Sequence, residues 1–145
     1  MTKDLKSKTV LILRIILAGL GFGWFISVYG VVMPWPAVAE QLVGLGADEV
    51  FQDRMLVYWF RMCACGFTGI GVMSFIMAFN PFKYMPMIIF YGIFMILTGI
   101  VLLVHGLLMG LNNMTVYFDF GFLFICGAGI LLAIYQIRRS SENPG

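Results

Sequence analysis

Three side chains of the 145-residue chain combine charge or titration with strongly apolar surroundings: Arg61, His105 and Asp119. Arg61 stands in the stretch Met55-Leu56-Val57-Tyr58-Trp59-Phe60-Arg61-Met62-Cys63-Ala64-Cys65, at the head of a long apolar run. A guanidinium facing hydrocarbon costs several kcal/mol unless it finds a partner or a water-filled cavity. Asp119 offers the opposite charge, and a carboxylate can accept the planar guanidinium fork in two parallel bonds. His105 adds a titratable imidazole that, when neutral, both donates and accepts a hydrogen bond. Tyr58 is three residues before Arg61, Thr98 seven before His105 and Cys126 seven after Asp119. Helical periodicity makes these three candidates to line the same site.

Other chemistries lack their residues. Cys63 and Cys65 are two apart, with no C-x-x-C pair for thiol–disulfide exchange, and the three cysteines build no disulfide framework. A single histidine excludes a haem held by two histidines of one subunit, and no metal-ligand spacing occurs. No serine sits in a nucleophile motif, and no glycine-rich phosphate loop is present. The eleven methionines are spread over the apolar runs as packing residues rather than a copper relay. These readings point away from an enzyme, with no catalytic residue and no metal.

The chain is 61% hydrophobic and 11% charged, whereas soluble domains run near 45–50% and about 25%. That composition describes an integral membrane protein whose length accommodates one transmembrane domain, 1–145. The net charge of +2 is small and forms no basic stripe, so nucleic acid is not an expected partner. The lipid bilayer is.

Four apolar runs are long enough to span a bilayer: about 10–32, 55–79, 85–108 and 114–137. The first is too long for a secretory signal core, although Lys3, Lys6 and Lys8 precede it. Gly19, Gly23 and Ser27 recur every four residues on one face and predict close helix packing. Pro34-Trp35-Pro36 ends this span, and the segment after it, with Val38, Leu42 and Val43 on one side and Glu40 and Gln41 on the other, predicts a short interfacial helix. Gly44-Leu45-Gly46 breaks that helix, and Asp48 is the expected N-cap of the next. Asn80-Pro81-Phe82-Lys83-Tyr84 and Gly110-Leu111-Asn112-Asn113 are tight turns. Lys3, Lys6, Lys8, Lys83, Arg138 and Arg139 fall on one side of the membrane and Arg54 on the other. The positive-inside rule then predicts both termini cytoplasmic. The expected fold is an all-α, integral membrane four-helix bundle.

A helical rise of 1.5 Å sets Arg61 roughly 9 Å, His105 roughly 5 Å and Asp119 roughly 8 Å below the outer boundary. One layer of a compact bundle would therefore hold all three. Such a cluster can act as interhelical glue, as a polar pocket for a small or amphipathic ligand, or as part of a proton or ion path. The path is the least supported, because only Thr68, Ser74, Thr98, Cys126 and glycines continue it inward.

The segments Tyr58-Trp59-Phe60-Arg61-Met62 and His105-Gly106-Leu107, with Asp119 early in the fourth span, give the chain a resemblance to uncharacterised DoxX-like four-helix bacterial inner-membrane proteins. The common depth of Arg61, His105 and Asp119 gives the leading expectation, a non-catalytic accessory subunit of a larger membrane protein complex or a small binding module, with a polar site open to the outer side. DoxX proteins proper are associated with quinone-linked sulfur oxidation, so a quinone-linked redox subunit, with Arg61 and His105 at a quinone carbonyl, is the alternative reading. A small ion channel or exporter is a further one.

Overall fold

Prolines, glycines and capping side chains divide the apolar chain into helices. The computed structural model describes residues 3–47, 53–111 and 114–142, which form α1 (Lys3–Phe25), α2 (Val28–Val32), α3 (Trp35–Gly44), α4 (Arg54–Phe79), α5 (Met85–Leu108) and α6 (Met114–Glu142). No strand occurs among the described residues. Four stretches are helical, long and apolar enough to cross a membrane: Ser7–Val32, Arg54–Phe79, Met85–Leu108 and Val116–Ser140. These mark a multi-pass membrane protein and match the expected all-α class.

Each helix end has a local cause. Pro34 caps α3, and Pro36 falls in its first turn, where a missing N–H is harmless. At the other end of α3 the Ala47 N–H donates to the Leu42 carbonyl at 3.1 Å and the Gly46 N–H to that of Val43 at 3.0 Å. Gly46 has φ +106°, which a glycine accepts without strain. The same two-bond closure ends α5, where the Leu111 N–H reaches the Gly106 carbonyl and Gly110 takes φ +71°. Asp53 caps α4, its carboxylate accepting the Met55 and Leu56 N–H groups at 2.9 and 3.0 Å. Asp48, the expected cap, lies outside the described residues. The Asn80 side chain accepts the Lys83 N–H in the turn between α4 and α5.

The chain packs as two compact units, one holding Met1–Gly19 with Phe75–Gly145, the other Leu20–Ser74. In the first, α5 and α6 lie antiparallel, with Gly106 against Val116, Gly99 against Leu123 and Gly92 against Ile130. The approach is close enough that a Cβ on Gly127 would stand 2.7 Å from the Gly92 carbonyl oxygen. Leu13, Leu17, Ile88, Met95 and Ile130 are fully buried in this unit. Thr9 is also buried, its hydroxyl paired with the Gln136 side chain at 3.4 Å. Arg14, near the start of the first span, donates to the last carbonyl of α4, Phe79, at 3.5 Å. A cation is favourable at that negative end of a helix.

In the second unit the close helix approach falls elsewhere than the Gly19-Gly23-Ser27 face. A Cβ on Gly71 would meet the Gly21 carbonyl oxygen at 2.8 Å and the Phe25 nitrogen at 2.7 Å, whereas one on Gly19 would meet nothing within 4 Å. The first span is also interrupted at Ile26 and Ser27, where the Ser27 N–H turns back to the Trp24 carbonyl.

Two stability outcomes follow from this packing. Gly127→Ala should lower the unfolding free energy in detergent by about 1–3 kcal/mol, because the helices must part, while Gly121→Ala, with open space around its position, stays within about 0.5 kcal/mol. Equal effects would deny the close crossing. Asp53→Ala should cost about 1 kcal/mol, read by the same unfolding assay, and an unchanged midpoint would deny the cap.

Candidate functional site

Pro34 and Pro36 explain why Arg61 is where it is. In an uninterrupted helix the Gly30 carbonyl would accept from the nitrogen of residue 34 and the Val32 carbonyl from that of residue 36, and both of those residues are prolines without an N–H. The last turn of α2 therefore ends with unsatisfied carbonyls inside a candidate span, where each costs several kcal/mol. Arg61, in the second turn of α4, supplies a donor to the Gly30 carbonyl and to its neighbours at Val31 and Met33. One terminal nitrogen of its guanidinium donates to the Gly30 carbonyl at 2.9 Å and to the Val31 carbonyl at 2.5 Å, and the other donates to that of Met33 at 2.6 Å.

The surroundings hold this geometry. A Cβ on Gly30 would stand 2.9 Å from the Phe60 ring and 3.2 Å from the Ala64 Cβ, so α2 lies directly on α4. Trp35, buried at the start of α3, meets the same Phe60 ring edge-on, with centroids 5.7 Å apart. Arg61 itself is half-buried. Tyr58, in the same unit, points outward and is 61% exposed, its ring edge against Trp59. It does not line the arginine's contacts.

The remaining sequence-derived candidates, His105, Asp119, Thr98 and Cys126, belong to the other unit. A cluster of all three ionisable residues would span both units. The α5–α6 register, which sets Gly106 against Val116, places His105 and Asp119 within about 3 Å of each other along the helix axes. Their shared depth is therefore retained in this unit, yet both side chains are exposed, and no hydrogen bond or ion pair among the described residues joins them. Thr98 and Cys126 are half-buried. Cys126 lines a shallow groove of about 370 Å³ on α6, together with Tyr117, Phe118, Gly121, Phe122 and Ile125.

Cys63 and Cys65 are exposed free thiols on α4. Among the described residues, no three His, Cys, Asp or Glu side chains stand where they could share a metal ion. The arrangement can therefore brace main chain through Arg61 and present a carboxylate and an imidazole outward. No protein family matches this chain, and neither a curated protein nor a solved structure shows significant similarity to it.

The main-chain partners of Arg61 were not anticipated from the sequence, although a signal for one of them exists. Gly30 has a proline four residues later. Replacing Arg61 should expose the fault. Arg61→Met is expected to lower the unfolding free energy in detergent by about 2–5 kcal/mol, since several carbonyls lose their donors together. Arg61→Lys, which keeps the charge without the planar fork, should recover only part of it. In a background where Trp24 and Trp59 are replaced by phenylalanine, so that Trp35 alone emits, Arg61→Met should also shift that emission. A stability change under about 0.5 kcal/mol would deny the bracing role.

Proposed function

We propose that the chain is a non-catalytic accessory subunit of a larger membrane protein complex, a DoxX-like four-helix protein of the bacterial inner membrane with both termini cytoplasmic. Asp119 carries this reading. Its carboxylate is exposed on a candidate span, flanked by the exposed rings of Tyr117 and Phe118, while Arg61 directs its donors to the main chain of its own unit. An ionised carboxylate facing lipid is expensive and is kept where it has a partner. Compensation from a second protein meets that requirement, and His105, exposed at nearly the same depth, adds a hydrogen-bonding group to the same contact.

The distribution of charge supports the orientation. The bases outside the spans gather at the two chain ends and in the α4–α5 turn, around Lys83, whereas Arg54 stands alone at the opposite end of α4.

Extraction of the full-length protein from its native membrane in mild detergent, followed by native mass spectrometry, tests the reading. We expect recovery with another membrane protein at fixed stoichiometry, and dissociation of that complex in Asp119→Asn. Recovery only as a monomer would overturn it.

A further inference from the structure

The two faces of α6 differ in what they meet. Leu123, Gly127, Ile130, Ile134 and Ile137 are buried, and the first three of them form the close crossing with α5. The groove of Tyr117, Phe118, Gly121, Phe122, Ile125 and Cys126 lies on another face, with Phe118 70% and Ile125 71% exposed. Phe118 and Phe122 stack with centroids 6.2 Å apart. Gly121 leaves a gap beside them, since a Cβ there would meet nothing within 4 Å. A gap between large side chains is the shape that receives a side chain from a neighbouring helix.

Apolarity alone does not say what fills the groove, because lipid tails cover such a face as well as protein does. Charge does. At 100° per residue Asp119 is about 60° from Phe122 and 20° from Cys126 around the helix, at the margin of the groove. It lies about 8 Å along the axis from the start of α6. An acyl chain in the groove would leave this carboxylate uncompensated, whereas a cationic side chain on a packed helix would pair with it. In a second copy of the chain the Arg61 guanidinium is held by the carbonyls of Gly30, Val31 and Met33 and that of Arg14 by Phe79, which leaves it Arg54, at the first residue of α4, and the imidazole of His105 to offer.

We infer that this face of α6 docks a transmembrane helix of a different protein, one that carries an arginine or lysine level with Asp119 and seats a side chain over Gly121. The inference rests on the accessory-subunit reading and names the chemistry of the contact.

The test uses full-length protein, labelled at its C-terminus, in phosphatidylcholine vesicles. The probes are labelled synthetic leucine–alanine helices about 20 residues long, with arginine, glutamine, glutamate or leucine about 8 Å from one end. Energy transfer reports association. The arginine helix should bind about three- to thirtyfold more tightly than the leucine helix, the range that intramembrane polar contacts provide. Asp119→Asn should remove that preference while leaving helix content and the thermal transition unchanged. Gly121→Leu should weaken binding of every probe.

Equal binding of the arginine and leucine helices, or a preference that survives Asp119→Asn, overturns the inference. So does strong transfer between two labelled copies of the protein, which assigns the face to a homodimer. Loss of the preference in phosphatidylethanolamine vesicles also overturns it, assigning the carboxylate to a lipid amine. The two proposals fail separately. A native partner whose binding ignores Asp119 removes the docking face but retains the accessory subunit, and a monomer in native membranes that still selects the arginine helix does the reverse.

Discussion

The hydrogen bonds from Arg61 to the carbonyls of Gly30, Val31 and Met33 are the constraint on which Leu20–Ser74 is arranged. Prolines at 34 and 36 turn the chain out of its first span and into α3, and that turn removes the donors that would close the last turn of α2. In water the stranded carbonyls would be hydrated at little cost. Within a membrane they must find donors in the protein. A guanidinium suits the task because its donors radiate in one plane and its charge does not titrate away. The energetic cost of a buried arginine and the cost of a broken helix end offset one another, and the packing of Gly30 on Phe60 and Ala64 holds them in register.

This arrangement changes what the other ionisable groups mean. A cation and a carboxylate at similar depth invite the reading of an internal ion pair. With Arg61 committed to main-chain oxygens, Asp119 and His105 stand as exposed groups of the unit that contains α5 and α6. That unit closes its own core by intimate glycine-mediated contact at Gly92, Gly99 and Gly127, while the Asp119 side chain on α6 is exposed. The proposed accessory role would draw on both features, the braced span of one unit and the exposed carboxylate and groove on α6 of the other.

Most of the helical plan was legible because apolar runs and their punctuation are local properties. The expected span 85–108 coincides with α5, and 55–79 begins one residue after α4 does. The fourth span was expected to end at 137, yet α6 continues through Arg138 and Arg139 to Glu142, since polar residues beyond the apolar stretch can extend a helix without burying it. The interruption at Ile26 and Ser27 carries no proline or glycine and went unread. The close approach of Gly71 to Gly21, with open space beside Gly19, depended on how α1 is rotated against α4, which residue spacing alone does not specify. The partners of Arg61 were hardest to foresee. Carbonyl oxygens belong to every residue, so nothing in a side-chain inventory singles out three of them. The proline spacing marks the Gly30 carbonyl alone among the three.

A double-mutant cycle on unfolding free energy in detergent tests the central claim most directly. Arg61→Met is combined in turn with Pro34→Ala, which restores an N–H for the Gly30 carbonyl, and with Asp119→Asn. The account predicts that Pro34→Ala relieves part of the Arg61→Met loss, a coupling of about 0.5 kcal/mol or more, while Arg61 and Asp119 add within about 0.3–0.5 kcal/mol. A coupling of about 1–3 kcal/mol between Arg61 and Asp119, with none between Arg61 and Pro34, would contradict it.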